Sequence, residues 1–185
     1  RRWQVDRMTR ARKGRSKLIF ILGGAASGKS QAALDLAGLG GPRAFVATGQ
    51  ALDREMKARI ERHKATRSSD WETAEVPAGL AKWFSENKHV YKVVVLDCLT
   101  LWLSNLRGRR LDGLAVSEAT EDLLHAIRET TARVVIVSNE LGLGLVPATK
   151  PVRAFRDLAG RVNQQVAAEA DEVYLTISGI LLRLK

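Results

Sequence analysis

Short apolar runs punctuate the chain at wide intervals: KLIFIL (17–22), RAFVAT (43–48), KVVVLD (92–97), RVVIVS (133–138) and EVYLTI (172–177). Most are rich in β-branched residues and lack clean polar alternation, the pattern of strands covered on both faces. Between them lie stretches with helical spacing, roughly 29–38, 53–66, 78–87, 114–130 and 152–170. Strands and helices in alternation predict an α/β fold, a three-layer domain around a mostly parallel sheet. The tail SGILLRLK (178–185) follows the fifth run after a Ser-Gly turn signal, and predicts an antiparallel C-terminal edge strand. No internal repeat is visible.

Composition narrows the picture. A chain of 185 residues, 45% hydrophobic and 27% charged, suits one globular domain with a substantial core. No apolar run approaches the ~20 residues of a membrane span. The first run, 18–22, is also too short for the apolar region of a signal peptide. Cys98 is the only cysteine, so no intramolecular disulfide can form, and a cytoplasmic location is expected. The net charge of +10 points at first to nucleic acid. Residues 1–17, however, hold eight Lys/Arg against one acid, so the excess is mostly N-terminal. Residues 1–16 are therefore expected to form a flexible basic arm, and 17–185 a single catalytic domain.

GGAASGKS (23–30) fits G-x-x-x-x-G-K-[ST], directly after an apolar strand and at the start of a helical stretch. Glycines let backbone N–H groups turn in around phosphate oxygens, Lys29 supplies a point charge, and Ser30 can ligate Mg²⁺. The domain is thus expected to be of the P-loop NTPase type. VVVLD (93–97) ends in Asp97, a carboxylate placed to hold Mg²⁺ directly or through water. A strand-end Asp that caps the next helix has the same letters.

RIERHKATR (59–67) sets His63 among Arg59, Arg62, Lys64 and Arg67. Neighbouring cations favour the neutral imidazole, which is a nucleophile. On a helix capped by Asp53, Arg59, His63 and Arg67 share one stripe, and a phosphate between them would offset their repulsion. Two readings stay open from these residues: a histidine that attacks a nucleotide phosphate, and a solvated charged helix.

GGAASGKS, VATGQALDREMKARIERHKATRSSDWETAEVP, VVVLDCLTLWLSNL and VSNELGLGLVPATKPVRAFRDLAGRVNQQVAAEADEVYLTISGI, in this order, closely resemble the bifunctional adenosylcobinamide kinase/adenosylcobinamide-phosphate guanylyltransferase family. The resemblance runs from about residue 18 to 185. It implies an enzyme of cobalamin biosynthesis that phosphorylates adenosylcobinamide with ATP or GTP. It further implies transfer of GMP from GTP to that phosphate, giving adenosylcobinamide-GDP and pyrophosphate. By the R-I-x-x-H-x-x-x-R pattern, His63 would carry GMP covalently, with Lys29 as the second catalytic residue. A homo-oligomer, a trimer, is implied as well, with no nucleic acid and no membrane span.

The same residue-level match implies a nucleotide site of Gly24, Ala25, Ala26, Ser27, Gly28, Lys29, Ser30, Gln31, Thr48, Gly49, Gln50, Lys64, Ala65, Thr66, Arg67, Glu75 and Asp97, with Ser30 and Asp97 toward Mg²⁺. Asn139, Glu140, Arg153, Arg156 and Asp157 look like a further site segment. The chain departs from the family in having Ala26 where the loop often has Arg, and no proline after Gly179-Ile180. The basic arm has no counterpart in the family. Two other functions fit part of the sequence: a single-activity P-loop kinase, in which His63 has no covalent role, and a nucleotide-dependent nucleic-acid-binding module. Against the second, the domain lacks the interleaved aromatic and basic residues of single-strand binders.

Overall fold

A computed structural model describes residues 16–185 except 39, 52, 66–67 and 109–111, and excludes the side chains of 59, 62, 63 and 65. All of the expected basic arm except Ser16 lies outside the described residues. The elements run β1 (Lys17–Gly23), α1 (Lys29–Ala37), β2 (Arg43–Ala47), α2 (Arg54–Ala65), β3 (Trp71–Glu75), α3 (Leu80–Glu86), β4 (Val93–Asp97), α4 (Leu99–Gly108), α5 (Gly113–Glu129), β5 (Arg133–Asn139), α6 (Lys150–Glu169), β6 (Glu172–Ile177) and β7 (Ile180–Arg183). They build one seven-stranded sheet in the order β3-β2-β4-β5-β1-β6-β7. Every pairing is parallel except β6 with β7.

The expected strands and helices fall within a few residues of the observed ones, and the antiparallel C-terminal strand is present. Two elements carry no clear sequence signal. β3, WETAE, is an edge strand whose residues are half-buried or exposed, so it has no apolar run to mark it. α4, LTLWLSNLRG, starts one residue after β4 with no turn residue between them. Its apolar letters therefore read as a continuation of the strand.

Successive side chains of a strand point to opposite faces, and this divides the core in two. Ile19, Ile21, Phe45, Val93, Val95, Val135 and Val137 pack with Ala33 and Ala37 of α1 on one face. Leu18, Phe20, Val46, Val94, Leu96, Val134 and Ile136 pack on the other, beneath α3, α4, α5 and α6. The central strands β4 and β5 are buried almost throughout, which explains their continuous apolar runs. At the bottom of the sheet the Lys185 ammonium donates to the carbonyls of Ala167, Ala168 and Ala170, where α6 leaves carbonyls without intrahelical partners.

α2 differs from the other long helices. Among its described side chains only Met56 and Ile60 are even half-buried, and none is fully buried. Its N-terminus is capped as its sequence predicts, the Asp53 carboxylate accepting from the Met56 amide at 2.7 Å.

Cys98 joins the α1-side cluster at the point where β4 gives way to α4. Burial pushes its thiol up to about 12, with the adjacent Asp97 charge adding to the shift. The thiol therefore stays protonated throughout the neutral range, and the thiolate that thiol reagents need is scarce. Native protein at about pH 8 should react with iodoacetamide at least ~100-fold more slowly than the denatured chain. Intact mass against time, with and without denaturant, measures this; equal rates would place Cys98 outside the core.

Candidate functional site

The site assembles at the C-terminal ends of the strands, where open α/β sheets collect ligands. After β1 the chain turns through residues 24–28 into α1. Gly23 closes the strand in a space that admits no side chain: an added Cβ would lie 2.5 Å from the Thr176 carbonyl and 2.6 Å from the Ser27 hydroxyl. Gly28 stands at φ 95°, in the left-handed region, and serves as the N-cap of α1 without a capping side chain. No acid sits in the first turn of α1, so its amide end favours anions. Ala26 also has a positive φ, 53°, and is exposed at the loop crest.

The Lys29 ammonium folds back along this loop, donating to the Gly24 carbonyl and, at 3.4 Å, to the Ser27 hydroxyl. Its side chain is buried, so the charge is held at the loop. The Ser30 hydroxyl donates to Asp97 Oδ2 at 2.5 Å across a separation of 67 residues. Asp97 thus meets the phosphate loop as its position at the end of β4 implies, and Ser30 takes its Oδ2. Gln31 bonds along the helix to Asp35 at 2.9 Å.

Thr48 is fully buried at the end of β2. Its hydroxyl donates to the Cys98 carbonyl at 2.7 Å and accepts from the Cys98 amide at 2.9 Å. Its own amide donates to the Asp97 carbonyl at 3.2 Å. Its side chain therefore holds the β4 end in place. Gly49 and Gln50 follow in the connection to α2, and a Cβ at Gly49 would meet Leu101 at 3.4 Å and Ile60 at 3.8 Å. Further along α2, Lys64 pairs with Glu75 at the end of β3, 2.7 Å apart and largely exposed. Such a pair contributes at most about 1 kcal/mol, but it brings together two residues that the resemblance assigns to one site. His63 and Ala65 lie within α2 and their side chains are outside the described set; Thr66 and Arg67 lie outside the described residues. The proposed stripe of Arg59, His63 and Arg67 therefore falls outside it too.

β5 delivers Asn139 and Glu140 beside the phosphate loop, the Glu140 amide donating to the Gly23 carbonyl at 3.0 Å. The Glu140 carboxylate turns back to accept from the Gly142 amide at 2.6 Å. Arg153 donates to the Pro147 and Ala148 carbonyls at 2.8 and 2.7 Å, tying the loop before α6 to the helix. Arg156 and Asp157 pair with each other at 3.1 Å. Their observed contacts are those of a tied-down, salt-bridged helix start.

Sequence reasoning missed the residues of α4 that reach across the strand ends. Thr100 Oγ1 accepts from the Asn139 amide at 2.8 Å and lies 3.3 Å from the Ser138 hydroxyl. Trp102 donates to the Ala78 carbonyl at 2.7 Å. Asn105 donates to the carbonyls of Thr48 and Pro77, both at 2.8 Å. An asparagine inside an apolar helical stretch was the available signal, since Asn is a poor choice there unless its amide has a partner.

Comparison with known proteins identifies the family. The family described as cobinamide kinase / cobinamide phosphate guanyltransferase matches residues 19–184. The bifunctional adenosylcobalamin biosynthesis protein CobU of Salmonella typhimurium is 39% identical over 180 residues, covering 91% of this chain and 99% of that protein. The CobU protein of Escherichia coli has the same identity and coverage. The bifunctional adenosylcobalamin biosynthesis protein CobP of Pseudomonas aeruginosa is 41% identical over 171 residues, covering 90% of this chain and 96% of that protein. Among solved structures, an ATPase of a bacterial type III secretion system is similar at a TM-score of 0.48 and 15% identity, covering 86% of this chain and 50% of that one. With the match running from the first strand to the last, the chain belongs to the cobinamide kinase / cobinamide phosphate guanyltransferase family.

Proposed function

We propose that this chain phosphorylates the aminopropanol hydroxyl of adenosylcobinamide with a nucleoside triphosphate, then transfers GMP from GTP to the resulting phosphate. The observation that carries this reading is the meeting of Ser30 and Asp97 at 2.5 Å beneath an intact phosphate loop, in a chain of this family. Family membership favours two transferase activities over a single-activity kinase or a nucleic-acid-binding module.

In the first step the substrate hydroxyl attacks the γ-phosphorus, an O–P bond forms, and the bond to the β-phosphate oxygen breaks. Loop amides and Lys29 hold the phosphates and stabilise the charge that moves onto the leaving nucleotide. In the second step His63 serves as the nucleophile. Its neutral imidazole nitrogen attacks the α-phosphorus of GTP, a P–N bond forms and pyrophosphate leaves. The phosphate oxygen of adenosylcobinamide phosphate then attacks the same phosphorus, and the P–N bond breaks to restore imidazole. The loop and Lys29 serve both steps, because each needs a β,γ-phosphate end held still.

The donor set of Ser30 and Asp97 fits Mg²⁺. Both offer hard oxygens, and among the described residues no group of three or more His, Cys, Asp or Glu gathers into a cage. Mg²⁺ commonly takes one or two protein oxygens and completes its shell with phosphate and water, supplying charge neutralisation at the phosphates. A cytoplasmic location and a trimeric assembly belong to the same reading. Among the described residues no helix is long and apolar enough to cross a membrane.

Wild-type chain given GTP and Mg²⁺ should gain the mass of one GMP and release pyrophosphate, forming an adduct labile in acid and comparatively stable in alkali. His63→Ala and His63→Asn should gain nothing and lose transfer, while phosphorylation of adenosylcobinamide persists. The rate of uptake should rise with pH through the range where imidazole loses its proton. Uptake by both His63 variants would move the nucleophile elsewhere, with His89 and His125 next to be replaced.

Lys29→Ala should lower both activities by about 100-fold or more while the far-ultraviolet spectrum is unchanged. Asp97→Asn should raise the Mg²⁺ concentration for half-maximal activity by roughly 10-fold, because an amide is a poorer ligand for a hard cation. An unchanged Mg²⁺ titration would leave Asp97 with a purely structural bond to Ser30.

A further inference from the structure

We infer that Asn105 is a positioning residue for guanylyl transfer: by holding the Thr48 and Pro77 carbonyls together, it sets the place of α2, and hence of position 63, against the phosphate loop. The inference rests on the transfer reading above. Its warrant is the way α2 is attached. Elements that bury side chains are located by packing, but α2 has no fully buried side chain among those described. Among the described residues three tethers locate it. It leaves β2 through the short connection after Thr48. Ile60 lies over Gly49. Lys64 reaches Glu75 at the end of β3, the strand that continues into Pro77.

The first two tethers depend on where the β2 end stands, and the third on where the β3 end stands beside it. The strands' own pairing and the bond from the Val76 amide to the Ala47 carbonyl, at 2.8 Å, set those ends side by side, and Asn105 Nδ2 bridges them just beyond, donating to Thr48 O and Pro77 O at 2.8 Å each. The residue reaches outward from α4, and α4 is itself fixed: Leu99, Trp102, Leu103 and Leu106 are buried in the core. One amide on a rigid helix thus braces the frame from which α2 departs. The clamp takes the Thr48 carbonyl, whereas the Thr48 bonds that place Asp97 run through its hydroxyl and amide, and Lys29 and Ser30 have bonds of their own, so the γ-phosphate chemistry is less exposed to this clamp than α2 is. Reactions between positioned groups are sensitive to small displacements, and a 1 Å error can cost about 100-fold. Uncoupling of the two activities is the signature that separates positioning from general support.

The test uses the full chain with Asn105→Ala and Asn105→Asp. The second keeps the size but turns a charged acceptor toward two carbonyls. In N105A the single-turnover rate of GMP uptake should fall about 10- to 100-fold, while the dissociation constant for GTP and the rate of adenosylcobinamide phosphorylation stay within about twofold. N105D should take up GMP more slowly still. Amide exchange should speed up in residues 49–51 and in α2 but not in β1 or β5, which keeps the inference testable if one variant is poorly stable. Uptake within about twofold of wild type in both variants would overturn it. So would uptake, GTP affinity and phosphorylation falling by one common factor, which marks a structural defect. Failure of wild type itself to take up GMP would sink the transfer reading and this inference together, and is read on wild type alone.

Discussion

The Thr48 hydroxyl exchanges two hydrogen bonds with the backbone of Cys98, at 2.7 and 2.9 Å, in a position with no access to solvent. The bonds fix the end of β2 to the residue that follows Asp97. Two further features depend on them. Asp97 stands where Ser30 can reach it, and α4 begins one residue later at a defined height above the sheet. A satisfied buried hydroxyl contributes only about 1 kcal/mol net, but a buried amide and carbonyl left without it would each cost about 1–3 kcal/mol. The arrangement is therefore specified more by what its loss would leave unpaired than by its own strength.

From that point α4 extends the same logic along the strand ends. Its apolar face is built into the core, and its polar side chains meet backbone groups of three neighbours: Thr100 on β5, Trp102 on the loop after β3, Asn105 on the ends of β2 and β3. Loop backbone at strand ends has lost its ladder partners, and each such carbonyl or amide needs another. Supplying those partners from a single rigid helix places several loops in one frame. The phosphate loop is fixed differently, through the tight approach at Gly23 and the bond from Gly179 to the Ser27 carbonyl.

The two halves of the site also differ in how they are held. Hydrophobic burial beneath α1 and the central strands makes the phosphate side stiff, with Lys29 itself buried. Among the described residues the α2 side is mostly polar and exposed, tied by a cap, an ion pair and the partly covered Met56 and Ile60. An element held this way opens at lower cost than the core does. That difference suits a division of labour in which one side grips phosphates in both reactions and the other engages in only one.

The chain's own letters determined whatever depends on neighbours in sequence. GGAASGKS announces a phosphate loop because its glycines, lysine and serine act within one turn, and the β4 and β5 runs announce buried strands because burial on both faces leaves no polar position. The Asp53 cap was legible for the same reason, its partner lying three residues away. β3 and α4 were not, since an edge strand needs no apolar run and a helix that follows a strand without a turn residue shows no boundary. The role of Thr48, the pairing of Ser30 with Asp97, the contact of Lys64 with Glu75 and the reach of Asn105 to two loops came only with the tertiary structure. Each joins different elements, most of them far apart in the chain, so each depends on the order β3-β2-β4-β5-β1 of the strands, which no local pattern encodes.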